Sequence, residues 1–135
     1  MLLKDKKIVI FGVANKYSIA TGIAKSMKQQ GAKLAFAYQN ERLLKNIKPI
    51  AEEMGSEILI ECDVSNDNSI DQAFKDLTSK WQKFDGLVHS IGFAPADQLE
   101  GNFVDVTTRE GFKIAHDVSS YLSLIHISEP TRQAE

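Results

Sequence analysis

Four short segments of this 135-residue chain place small or hydrogen-bonding residues where they could hold a ligand. In the first, a continuous apolar run from Ile8 to Phe11 ends at Gly12, and a polar turn then leads to Ser18, Ile19 and Ala20. A buried strand, a glycine turn and a helix in that order present amide N–H groups at the helix start, where the helix dipole favours a diphosphate. Gly12 would let the backbone approach the phosphates, and the small Ser18 and Ala20 serve the same steric end. The glycine-rich pattern G-x-G-x-x-G is absent, so a plain strand-to-helix turn is an alternative reading of this segment alone.

The other three segments are Tyr38-Gln39, Asp63-Val64 and Ser90 to Ala94. Gln39 ends a second apolar run, where dinucleotide-binding folds place an acidic residue against the ribose hydroxyls; a solvated loop residue is the competing account. Asp63 could accept from an adenine amino group, with Val64 adding a backbone N–H and an apolar face. An Asx turn closing the strand explains Asp63 equally well. Ile91 and Gly92 could floor a second ribose, and a simple turn glycine explains Gly92 as readily. His89, His116 and His126 are too scattered for a metal site, and His89 reads as a core or edge histidine. Tyr38 and Lys45 imitate the Tyr–Lys spacing of short-chain reductases, but Tyr38 ends a strand on the adenosine side, far from any hydride transfer.

The elements that must position these segments follow from periodicity. Lys7–Phe11, Lys33–Tyr38, Glu57–Glu61 and Leu87–Ser90 read as strands. Between them lie helices with apolar stripes: Ile19, Ile23, Ala24 and Met27 from about Ser18 to Gln30, then Leu43 to Met54, then Ile70, Phe74, Leu77 and Trp81. Gly31 and Gly55 are natural helix stops, Asn40 and Asn66 to Asn68 natural caps, and Pro49 should kink or divide the second helix. Phe93 to Thr107 reads as a loop, with a helix from Thr108 onward. Strand–helix alternation makes a parallel sheet with helices on both faces, so the fold class is α/β, with about four strands and flanking helices. In such a sheet ligands collect at the C-terminal strand ends, where all four segments lie.

Composition narrows the classes. Hydrophobic residues make up 43% and charged residues 25% of the chain, the balance of a folded globular domain. A net charge of -2 gives no electrostatic reason for a nucleic acid or anionic membrane partner. The single cysteine, Cys62, excludes an internal disulfide and fits a cytoplasmic location. No signal-peptide h-region and no apolar stretch of membrane-spanning length occurs.

With these segments in place, the sequence resembles the NADH-dependent enoyl-acyl carrier protein reductases, divergent short-chain dehydrogenase/reductases. The resemblance runs through Gly12-Val13-Ala14-Asn15-Lys16-Tyr17-Ser18-Ile19-Ala20, Ala37-Tyr38-Gln39-Asn40, Cys62-Asp63-Val64, Phe84 to Ala94, and Thr108 to Asp117. His89-Ser90-Ile91-Gly92-Phe93-Ala94 is much more specific than the glycine turn. The resemblance implies a Rossmann-like doubly wound sheet and NADH contacts from Gly12, Ser18, Ile19, Gln39, Asp63, Val64 and Ile91. It further implies that Ala94 lies against the acyl substrate, that an enoyl-acyl carrier protein is reduced in bacterial fatty-acid elongation, and that the full-length family member is a homotetramer. An NAD-binding module without catalysis is the alternative from another class. A short-chain dehydrogenase acting on an alcohol or ketone is a third, against which Gln39 and His89 to Gly92 speak.

The likeness extends to about Tyr121. Residues 1–121 then read as the NAD-binding half of the fold, and residues 122–135 as a non-native tail joined to a truncated reading frame; Pro130 would stop any helix there. The family's catalytic Tyr and Lys have no counterparts, so these 135 residues are expected to lack reductase activity, to expose the apolar edge of the fourth strand and to be poorly soluble.

Overall fold

The computed structural model describes residues 1–92 and 95–121. The chain forms two compact units, Met1–Ser90 and Ile91–Glu135. In the first, β1 (Lys7–Phe11), α1 (Ile19–Gln29), β2 (Lys33–Tyr38), α2 (Glu41–Glu53), β3 (Ile58–Glu61), α3 (Asp67–Lys80) and β4 (Gly86–His89) alternate as the periodicity predicts. All strand pairs are parallel, in the order β3-β2-β1-β4. The chain builds outward from β1 to β3 and then crosses back to the far side of β1. The strand order therefore reverses between β1 and β4.

Alternation along the strands divides the core. Ile8, Ile10, Leu34 and Phe36 pack with Ala20 and Ala24 of α1 and with Ile47, Ile50 and Ala51 of α2 in one buried cluster. Val9, Phe11, Ala35 and Ala37 alternate with them, and all four are buried. Helix α3 packs on β3 and buries Ile70, Ala73, Phe74 and Leu77. A right-handed crossover that reverses direction brings its helix to the opposite face of the sheet. At the outer positions, all four residues of β4 are only half-buried, as expected of an edge strand with a single strand partner. Half-exposure of β4 agrees with the sequence expectation for its apolar edge.

Three local expectations are corrected. Ile19 does not join the buried stripe of α1: it is 78% exposed, and Ala20 and Thr21 are buried beside Ala24, which is buried as expected. The buried stripe is thus set about one residue further along, and it admits a threonine. Of the two outcomes expected at Pro49, a kink or a division, the division does not occur: α2 runs unbroken from Glu41 to Glu53. Proline deprives only the Lys45 carbonyl of its bond, and Pro49 and Lys45 both lie on the exposed face while Ile47, Ile50 and Ala51 stay buried. The 93–107 stretch is not all loop. It contains a 3-10 turn, Ala96–Gln98, and a one-turn helix α4, Phe103–Val106, capped by the Asn102 side chain accepting from the Val104 N–H at 3.0 Å.

The second unit continues with α5 (Arg109–His116), whose cap Thr108 accepts from the Gly111 N–H at 3.0 Å, and a π-helical turn Asp117–Tyr121. The Gln98 side chain accepts from the Thr108 N–H at 2.9 Å and occupies the space that a side chain at position 111 would need. No helix among the described residues is long and apolar enough to cross a membrane.

Candidate functional site

Three strand ends of the first unit carry predicted residues on one edge of the sheet: Gly12 after β1, Gln39 after β2, and Asp63 and Val64 just beyond β3. They share that edge because all four strands run the same way. Gln39 is exposed, Gly12 and Asp63 are half-buried, and Val64 is buried. Ile91 follows Ser90 in the chain and opens the second unit, half-buried. Ala94 lies outside the described residues.

The most informative part is the start of α1. Helices α2, α3 and α5 each have a side-chain cap: Asn40 accepts from the Leu43 N–H at 3.2 Å, Asn66 from Ser69 at 3.1 Å, and Thr108 from Gly111 at 3.0 Å. Each also has an acidic residue in its first turn, namely Glu41, Asp67 and Glu110. Helix α1 has neither feature. Its N-cap Ser18 is turned back into the loop, where Oγ accepts from the Ala14 N–H at 3.0 Å and the Asn15 N–H at 3.1 Å. A serine hydroxyl has two acceptor lone pairs and one donor hydrogen. Both lone pairs are used inside the loop, and the hydrogen has no acceptor among the described residues. The positive end of α1 is thus left without the carboxylate and cap that neutralise its neighbours, next to a hydroxyl free to donate. That arrangement fits a diphosphate.

Amide N–H groups of the turn that precedes the helix start are engaged within the turn itself. The amides of Ala14 and Asn15 are bound by Ser18, that of Tyr17 by the Asn15 Oδ1 at 2.8 Å, and that of Ser18 by the Asn15 carbonyl at 3.2 Å. Gly12 has a local reason that the sequence did not suggest. Its φ is +114°, and a Cβ there would lie 2.1 Å from the Ser90 carbonyl oxygen at the end of β4. The glycine is demanded by the close passage of two strand ends, whatever ligand lies beyond. Asn15 and Thr21 were also missed as parts of this site; a polar residue in the buried stripe of α1 was the signal for Thr21.

At the other strand ends, Asp63 makes the Asx turn. Its Oδ1 accepts from the Ser65 N–H at 3.0 Å and the Ser65 hydroxyl at 2.6 Å, and its own N–H donates to Ser69 Oγ at 2.8 Å. Cys62 beside it is buried, and its thiol is pushed up to about 12, first by burial and then by the Asp63 charge. The Tyr38 hydroxyl is also raised, by burial and then by Glu61 and Glu41. Tyr38 ends β2 and Lys45 is exposed on α2, so both stand on the elements that the adenosine-side reading assigned them. His89 closes the edge strand β4, half-buried, as the edge reading predicted. Among the described residues no three His, Cys, Asp or Glu side chains come together to hold a metal ion.

A parallel sheet of order 3-2-1-4 with an uncapped helix behind the first strand defines a Rossmann-like α/β protein. The family model for enoyl-(acyl carrier protein) reductase matches residues 12–133, and the chain belongs to that family. It is 56% identical over 119 residues to the enoyl-[acyl-carrier-protein] reductase [NADH] FabI of Escherichia coli, covering 88% of this chain and 45% of that protein. To the enzyme of the same name from Haemophilus influenzae it is 48% identical over 130 residues, 96% of this chain and 49% of that protein. Among solved structures, the enoyl-[acyl-carrier-protein] reductase (NADH) of Aquifex aeolicus superposes with a TM-score of 0.93 at 44% identity, covering 98% of this chain and 56% of that one. The reductase of Anaplasma phagocytophilum, solved in complex with NAD, gives 0.91 at 38% identity, covering 96% of this chain and 49% of that one. The chain spans about half the length of the curated relatives it matches.

Proposed function

We propose that this chain supplies the cofactor-binding part of an NADH-dependent enoyl-acyl carrier protein reductase of fatty acid biosynthesis. The observation that carries the reading is the start of α1, uncapped and without a first-turn carboxylate, beside Ser18, whose hydroxyl oxygen accepts two turn amides and whose hydrogen is left for a ligand. Family membership and the NADH in the relatives' names support it.

In this reading Ser18, Ile19 and the loop after Gly12 receive the diphosphate of NADH. The exposed Ile19 side chain offers an apolar contact beside it. Gln39 bonds the ribose hydroxyls without repelling or attracting charge. Asp63 turns its second carboxylate oxygen toward the adenine amino group, since Oδ1 is engaged by Ser65. Val64 contributes its backbone, its side chain being buried. Ile91 lies under the second ribose, and Ala94 against the acyl chain. Bound nicotinamide supplies the hydride that reduces the trans-2 double bond of the enoyl thioester. No residue of this chain is assigned the proton donation that completes the reduction. The expected partners are the enoyl-acyl carrier protein substrate and, for the full-length family member, three further copies in a homotetramer. Nucleic acid and membrane are not expected partners, and the expected location is the cytoplasm.

Fluorescence titration of the 135-residue chain with NADH tests the binding assignment, and saturable binding is expected. Adding a crotonyl thioester tests the second half: binding without turnover is the expected result for these residues alone. Absence of saturable binding overturns the cofactor assignment, and turnover overturns the view that proton donation lies elsewhere.

A further inference from the structure

Thr21 stands in the buried stripe of α1 between Ala20 and Ala24, where a small apolar residue would cost nothing. It is 3% exposed, and it is the sole polar residue in the buried polar class of the described structure. A threonine inside a helix ordinarily bonds a carbonyl three or four residues back in its own helix. This one reaches six residues back and out of the helix: its Oγ1 donates to the Asn15 carbonyl at 2.6 Å.

Asn15 is the residue on which the turn is hung. Its carbonyl accepts from Thr21 Oγ1 and from the Ser18 N–H, its N–H donates to Ser18 Oγ, and its Oδ1 accepts from the Tyr17 N–H. Three of these bonds are made by the turn with itself and with its cap residue. Of Asn15's bonds, only the one from Thr21 reaches into the packed body of α1; the Thr21 and Gly22 N–H groups bond the Ser18 carbonyl, at the helix end of the turn. Burying a hydroxyl is unfavourable unless it is bonded, so the pairing is held in place from the Thr21 side as well.

We infer that Thr21 is a positioning residue for the diphosphate: through Asn15 it holds the 12–18 turn in the shape in which Ser18 Oγ accepts the Ala14 and Asn15 amides and keeps its hydrogen for the ligand. It touches no ligand itself. This rests on the dinucleotide reading given above. A turn that is already in its binding shape spares the ligand the cost of ordering it, and loss of competent population raises the apparent Kd in proportion.

The test uses the full 135-residue chain with Thr21→Val, which keeps the shape and removes the donor, and Thr21→Ser, which keeps the donor. Thr21→Val is expected to raise the Kd for NADH by about fivefold, the worth of one hydrogen bond. Thr21→Ser is expected to restore it to within about twofold. Amide hydrogen exchange without ligand gives the readout that separates positioning from general stability. Ala14 and Asn15, held by Ser18, should exchange faster in Thr21→Val, while Leu43, capped by Asn40 on α2, keeps its rate. If circular dichroism shows that the valine variant does not fold, Thr21→Ala removes the same hydroxyl and is read in its place. Unchanged NADH affinity in the hydroxyl-less variant overturns the inference, as does equal acceleration of Leu43 or a serine variant as weak as the valine one. If the unaltered chain does not bind NADH, the dinucleotide reading falls and takes this inference with it, whereas normal binding that ignores Thr21 removes the inference alone.

Discussion

Gly12 and Ser90, the residues that follow β1 and β4, come so close that a Cβ on Gly12 would sit 2.1 Å from the Ser90 carbonyl oxygen and 2.7 Å from its carbonyl carbon. Because the clash is with backbone, Gly12→Ala cannot be relieved by a rotamer change, and the φ of +114° adds strain for any side chain. A loss of about 3 kcal/mol is expected, lowering Tm by about 10 °C in a chain of this size. Ser90→Gly should not rescue it, since the carbonyl stays. Thermal denaturation of the two single variants and the double variant checks this, and an unshifted Tm for Gly12→Ala contradicts the close approach.

Two cap residues should separate stability from binding. Asn66 caps α3 and takes no part in the proposed site. Asn66→Ala is expected to cost about 1 kcal/mol and leave NADH affinity unchanged. Ser18 caps nothing in α1. Ser18→Ala removes the acceptor of two turn amides and should lower Tm at least as much as Asn66→Ala does, and it should in addition weaken NADH binding by about tenfold through loss of a hydrogen bond to a charged acceptor. Paired urea melts and NADH titrations measure both quantities, and a Ser18→Ala variant that binds normally speaks against the hydroxyl's role.

Cys62 is expected to be silent toward alkylation in the folded chain. With its thiol pushed up to about 12, the thiolate at pH 8 is about one part in ten thousand. Iodoacetamide at pH 8 should add nothing in buffer and one group per chain in urea, read by mass spectrometry. The same shift predicts the alkaline side of stability. The folded thiol holds its proton above the unfolded value near 9, so its contribution is complete below pH 9 and is lost as pH rises toward 12. The raised Tyr38 acts with the same sign above pH 10. Cys62→Ala should flatten the fall in stability between pH 9 and 10 in denaturant melts.

Gln39 is exposed at the end of β2 and uncharged. In the proposed site it faces the hydroxyls that carry a phosphate in NADPH. Gln39→Arg is expected to raise the affinity ratio of NADPH to NADH by at least about tenfold, because a guanidinium can pair with that phosphate. Competition titrations with the two cofactors give the ratio directly. An unchanged ratio places the ribose elsewhere.

Much of this protein was legible in the sequence because its signals are local. Four apolar runs alternating with amphipathic stretches dictate a parallel α/β sheet, Asn40 and Asn66 announce two capped helices, a further helix starts at Thr108, and Gly31 and Gly55 follow the ends of α1 and α2 at positive φ. The segments from Gly12, Gln39, Asp63 and Ser90 could be placed at strand ends from periodicity, and their residues carried the resemblance to the reductase family.

The tertiary structure decided what depends on direction and distance between residues remote in the chain. Helical spacing cannot tell which apolar residue at a helix start faces solvent, so Ile19 was assigned to the core and Thr21 overlooked. A glycine codon does not say whether its space is taken by a ligand or by Ser90, 78 residues later. Nor does a serine at an N-cap position say whether its lone pairs serve the helix or the preceding turn. Hydrophobic period fixes elements, because it acts over three or four residues; the orientation of a hydroxyl is fixed by whichever amides the fold brings within 3.1 Å of it.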